Sequence, residues 1–140
     1  MFQLHVAATW TMVGVIWLVQ LVNYPLFAKF EESESFHAAH RVHMRGISYV
    51  VGPAMFVESA TAAMLLFFDH PASTEFIIGA VLVALLWGST AFVQVPQHNQ
   101  LEERFERAVA LRLIASNWFR TGVWSARGAL LLWVGVRGVA

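Results

Sequence analysis

Glu58 is the only acid in the apolar run SYVVGPAMFVESATAAMLLFF, from Ser48 to Phe68. A carboxylate inside apolar sequence is costly and calls for a partner or a task. Partners are available in NWFRTGVWSAR, where Asn117, Arg120, Trp124 and Arg127 follow at spacings of three, four and three. That spacing puts both guanidinium groups and the amide on one helical face. One acid against two arginines leaves a cation over. Away from water, such a cation suits an anionic ligand or an oxygen that becomes anionic during a reaction. In that chemistry Glu58 is the base, and Arg120 or Arg127 holds the resulting charge. The plainer alternative is an ion pair that only fixes the register of packed helices. Trp124, between the arginines on their own face, offers a planar ligand a flat wall beside a guanidinium.

Other polar residues fall within apolar stretches at comparable depth. Gln20 and Asn23 end one stretch, Thr90 and Gln94 end another, and Asn117 and Arg120 begin a third. Polar groups facing lipid cost kilocalories each, so these are expected to turn inward together. The expectation is one cavity lined by Gln20, Asn23, Glu58, Thr90, Gln94, Asn117, Arg120, Trp124 and Arg127. Glu58, Arg120 and Arg127 would be its catalytic groups and the others its ligand-binding ones.

His37, His40 and His43 repeat every three residues, and His98 lies at the same end of a neighbouring apolar stretch. Adjacent imidazoles at that spacing can share a metal. No Glu-x-x-His or His-Glu-x-x-His frame accompanies them, so a solvated helix face is the plainer reading and no metal is favoured. His5 and His70, at the opposite side, have the ligand chemistry to clamp a haem, although interface and turn positions account for them more simply. No cofactor is required by these residues, and haem or a metal stays open.

Helices must position all of this. The chain has 140 residues, 58% hydrophobic and 13% charged, with a mean hydropathy of +0.59. That is a membrane composition, and the expected fold is an all-α integral membrane four-helix bundle with a kinked second helix. A single four-span domain is expected over residues 1–140, with spans near 4–27, 47–68, 75–96 and 113–133. Each is long enough for a hydrocarbon core of ~30 Å. Pro25 should end or kink the first span, Pro53 should kink the second, and Pro96 should close the third. The helical pattern runs unbroken from the polar stretch before Ile47 into the second span, and LEERFERAVALR from Leu101 reads as an amphipathic start that merges into the fourth. No repeat between the halves is evident.

Lys29, Arg41 and Arg45 lie in the first connection, and Arg104, Arg107 and Arg112 in the third. By the positive-inside rule, residues 28–46 and 97–112 are cytoplasmic and both termini outside, as in a bacterial-type inner membrane. The start, MFQLHVAATW, shows no basic leader and no clear small-residue cleavage site. The absence of cysteine excludes thiolate chemistry and disulfides, and a net charge of zero argues against a nucleic-acid partner.

Several short motifs share an order. A glycine-bearing first span ends near a proline, and the second contains Pro53. The third closes on Pro96, Asn99 and Leu101, and the fourth opens with NWFRT from Asn117 to Thr121. This layout resembles the anthrone oxygenase family of small four-helix membrane proteins. The resemblance implies oxygen insertion into an acidic carbon of a polycyclic substrate, with no obvious bound cofactor. Glu58 and the His37, His40 and His43 cluster do not map onto that family. His5, Trp10 and Gly14 more loosely resemble the haem-binding four-helix membrane protoporphyrinogen oxidases, at a spacing that departs from theirs.

The function expected from these features is a cofactor-poor oxidoreductase or oxygenase whose hydrophobic substrate enters from the lipid bilayer. A non-catalytic accessory subunit of a larger membrane complex, binding a pigment, quinone or haem, is the alternative. Its partners would be other membrane subunits or a second copy. A small dimeric transporter coupled to protons through Glu58 fits less well, because the arginines would hold that acid ionised.

Overall fold

The computed structural model describes residues 1–30, 33–69 and 74–138, and these are all-helical, without a strand. Four long helices follow in order: α1 (Phe2–Phe27), α2 (Ser33–Phe68), α3 (Thr74–Glu103) and α4 (Arg107–Arg137). Cross-helix bonds such as His5 to Thr61, Trp87 to Ser59 and Asn117 to Gln20 show that neighbours run antiparallel. Their short connections allow nothing else.

Three of these, α1 to α3, are long and apolar enough to cross a membrane. The fourth has the length, 31 residues or about 47 Å at 1.5 Å per residue, but polar groups interrupt its sequence. Those groups face inward. Asn117, Arg120 and Arg127 are buried, while the exposed residues of α4 from Leu113 to Val136 are all Ala, Gly, Leu, Val, Phe or Trp. The same inversion holds throughout. Phe56, Phe67, Phe68, Phe92 and Val136 are among the most exposed side chains, and Glu58, Arg127, His40 and Gln94 among the least. His40 and Glu58, eighteen residues or five helical turns apart, share the inner face of α2.

The helices run on through all three prolines. Pro53 lies inside an α-helical stretch that runs from Ser33 to Met64. At Pro25 and Pro96 the helices continue, the first to Phe27 and the third to Glu103. The cost is taken just upstream, where the wider π-helical turns Val19–Asn23 and Thr90–Gln94 each end two residues before the proline. Proline has no N–H to give and its ring crowds the carbonyl four residues back, and a widened turn relieves both. These two turns carry Gln20, Asn23, Thr90 and Gln94. Continuing past Pro96, α3 takes in His98, expected in the turn that closes the third span, and Leu101–Glu103, which the sequence pattern had assigned to the start of the last helix. The break comes at Arg104 and Glu106, whose backbones are extended.

Apolar packing fills the levels between polar layers. Phe27, Phe36, Leu101 and Leu113 cluster at one end, Met12, Ile16, Met55 and Leu86 in the middle, and Leu65, Phe76 and Val134 at the other end. Where α1 crosses α4, a Cβ on Gly128 would stand 3.2 Å from the Trp10 ring and 3.3 Å from Val13, a tight approach that would make those side chains give by a few tenths of an ångström.

Candidate functional site

Three polar layers succeed one another along the bundle. In the first, Glu58 is saturated. Its Oε1 accepts from the Thr9 hydroxyl (2.8 Å) and from Arg127 Nε (3.0 Å), and its Oε2 from the Trp124 indole N–H (3.1 Å). Arg127 also donates to the Gly79 carbonyl and approaches His5 Nε2 at 3.4 Å. Thr61 gives its own proton to the Val57 carbonyl, so at 2.7 Å its oxygen accepts from His5 Nδ1–H. That leaves His5 Nε2 bare to receive Arg127. Every donor here has an acceptor, and the adjoining void of about 10 Å³ has room for little more than one water.

The second layer is not balanced. Arg120 comes from α4 one turn from Trp124, is 6% exposed, and makes no ion pair among the described residues. Its Nη1 reaches Asn117 Oδ1 at 3.3 Å, and its Cζ lies 5.0 Å from the Trp124 ring centre. Its Nε has no partner. Asn117 is held from behind by donating to Gln20 Oε1 (2.8 Å), and Gln20 in turn donates to the Ile114 carbonyl (3.3 Å).

Arg120 borders a cavity of about 150 Å³ to which all four helices contribute. Its apolar walls are Met12, Val15, Ile16, Val19, Ile47 and Val51, and its polar ones Tyr24, His43, Thr90, Gln94 and His98. Ser48 and Val95, both exposed, place its mouth between α2 and α3. The π turn of α3 aims Gln94 inward, where its amide meets Ser116 and Ser89 at 3.2 and 3.0 Å. An apolar cavity of this volume holds an aromatic ring of benzene size.

The third layer joins side chains from α1, α2 and α3. Tyr24 Oη lies 3.1 Å from His98 Nε2, His98 Nδ1 3.0 Å from His40 Nε2, and His40 Nδ1 2.9 Å from Glu102 Oε2. Phe36 stacks on His40 with ring centres 5.2 Å apart, and Phe27 stands edge-on to the same ring. His43 accepts from Asn23 Nδ2 at 3.3 Å, and His37 donates to the Leu101 carbonyl at 3.1 Å.

The single cavity expected from sequence is therefore divided. Thr90, Gln94 and Arg120 line it, with Gln20 and Asn117 supporting Arg120 and Trp124 beneath it. Glu58 and Arg127 form a separate pair and do not line it, and Asn23 faces His43 beside a surface groove. His40 and His98 are buried and bonded to each other, which corrects the reading of a solvated face. Among the described residues, no group of three or more His, Asp and Glu is placed to hold a metal. His70 lies outside the described residues.

Sequence reasoning missed five contributors. Thr9 and Thr61 stand four and three residues from His5 and Glu58, a helical spacing that marks them as companions. Tyr24, Glu102 and the Gly79 carbonyl carry no such signal. Comparison with protein-family models, curated proteins and solved structures returns no match.

Proposed function

We infer that this chain is an integral membrane four-helix protein that holds the acidic oxygen of a small, largely apolar molecule against Arg120. Membrane embedding is supported by the outward apolar surface and by how the outer polar groups are satisfied. Thr11, Ser48 and Ser59 return their hydroxyl protons to carbonyls four residues back, and the half-exposed Trp17 and Trp87 give their indole N–H to Ser125 and Ser59. Such internal pairing is what a solvent without hydrogen bonds demands. The mouth between α2 and α3 opens on this same apolar surface, so the ligand enters sideways from lipid.

The unpaired Arg120 carries the reading. A buried guanidinium without a carboxylate is costly, and an anionic oxygen placed at its free Nε offsets that cost. Room for one ring inside the bundle, with the remainder of the molecule in the mouth, suits a phenol, an enol or a hydroxyquinone. The resemblance to anthrone oxygenases implies the same class. Its enzymatic form would be oxygenation of the bound enolate, one oxygen atom of O₂ going to carbon and the other leaving as water. Glu58 and Arg127 then serve architecture.

The direct test is selective binding of para-nitrophenol over its methyl ether, para-nitroanisole, by the detergent-solubilised protein, and loss of that selectivity in Arg120→Met. Oxygen consumption with anthrone as substrate tests the enzymatic form.

A further inference from the structure

We propose that Tyr24, His98, His40 and Glu102 form a proton relay through which a ligand held at Arg120 releases its proton to water. The inference rests on the reading of the Arg120 cavity given above and adds how that ligand becomes charged. Four side chains are linked end to end by contacts of 3.1, 3.0 and 2.9 Å. The inner end is in the cavity, where Tyr24 and His98 stand with Arg120. The outer end is Glu102, 46% exposed, in a surface cleft of about 220 Å³ that also reaches His40, His98 and Arg41. Between them His40 is 1% exposed and walled by Phe27 and Phe36.

The chain has one direction. An ionised Glu102 only accepts, so His40 donates from Nδ1. With one proton on each ring, His40 Nε2 accepts from His98 Nδ1–H, and His98 Nε2 accepts from the Tyr24 hydroxyl. A ligand O–H can then pass its proton to Tyr24 Oη while Tyr24 passes its own to His98, His98 to His40, and His40 to Glu102. The ligand O–H bond breaks, a Glu102 O–H bond forms, and both rings end neutral in the opposite tautomer. Glu102 then loses the proton to water. When the ligand leaves, the same steps run backwards: water protonates Glu102, a proton passes inward to the ligand oxygen, and both rings return to their starting tautomer. No oxidant is needed.

The surroundings favour this direction. Arg120 on α4 faces the developing anion. His43 on α2 flanks the relay, its ring 6.2 Å from His98 and 6.0 Å from Tyr24, and it spends its Nδ1 on Asn23. His37 is engaged with the Leu101 carbonyl, and Arg41 borders the outer cleft beside Glu102.

Rapid mixing of the full-length protein with para-nitrophenol, below the pKa of the probe, tests the proposal, because the bound phenolate absorbs at longer wavelength than the phenol. The expected result is that Glu102→Gln and His40→Phe slow phenolate formation, per bound probe, at least about tenfold, below the usual range of acid–base contributions. Unchanged rates in both variants overturn the relay and leave the Arg120 reading standing. Binding of para-nitroanisole as tightly as para-nitrophenol overturns that reading instead. The relay is then judged without ligand, by NMR of the histidine ring nitrogens. His40 and His98 are both expected to carry the proton on Nδ1 with Nε2 bare, and an Nε2 proton on either ring overturns it.

Discussion

Arg120 rests over the ring of Trp124, its guanidinium carbon 5.0 Å from the ring centre, and the indole N–H of Trp124 is committed to Glu58. One tryptophan thus separates two arginines with opposite tasks. Below it Arg127 is matched to the carboxylate; above it Arg120 meets the Asn117 amide and, among the described residues, no carboxylate.

The two arginines should answer differently to removal. Arg127→Met leaves Glu58 buried without its cation, held only by Thr9 and Trp124, and should cost about 3–5 kcal/mol. Arg120→Met removes an unpaired buried charge, and should be neutral or stabilising by about 1–4 kcal/mol. Thermal unfolding of the detergent-solubilised variants measures both. Equal destabilisation by the two changes would show that Arg120 is also a structural partner.

Pro96→Ala restores an N–H that can bond the Phe92 carbonyl, so the π turn Thr90–Gln94 should tighten to an α-helical one. Thr90 and Gln94 then rotate away from Arg120. Helical content by circular dichroism should hold, while para-nitrophenol affinity falls about tenfold, equivalent to about 1.4 kcal/mol. Retained affinity would show that the widened turn is not what shapes the cavity.

Gly128→Ala brings a methyl group within 3.2 Å of the Trp10 ring, so its neighbours must give by a few tenths of an ångström and the variant should be less stable than Gly14→Ala. Gly14→Ala, inside a helix and meeting nothing within 4 Å, is the control and should stabilise by about 0.5–1 kcal/mol through helix propensity.

Topology is checked with single cysteines in this cysteine-free chain. Residues at Ser35 and Ser73 should label from opposite sides of the membrane, the first from the cytoplasm. Labelling of both from one side would contradict the four-span reading.

Much of the architecture was legible because apolar length and inward-turning polar residues are direct consequences of burial. The helix through Pro53, the pairing of Glu58 with an arginine and the convergence of Gln94 with Arg120 follow from spacing along each helix. Which arginine takes Glu58 did not follow, because periodicity assigns a face and not a neighbour. Asn23 was misplaced for a related reason: the π turn before Pro25 shifts its direction by part of a turn. The continuation of α3 past Pro96 hid Glu102 and His98 from a shared reading, since a proline followed by polar residues resembles a helix end. Tyr24 gave no warning at all, being an ordinary aromatic in an apolar stretch until its hydroxyl meets His98.

The central claim is that Arg120 awaits an acidic oxygen, and equilibrium binding of para-nitrophenol against para-nitroanisole measures it most directly. The two probes differ by one methyl group, which removes the acidic proton and leaves the ring in place. The account predicts that wild-type protein prefers the phenol by at least about tenfold, or 1.4 kcal/mol, that the bound form is the phenolate, and that Arg120→Met abolishes the preference while remaining folded. Equal binding of the two probes, or a preference that survives in Arg120→Met, would contradict it.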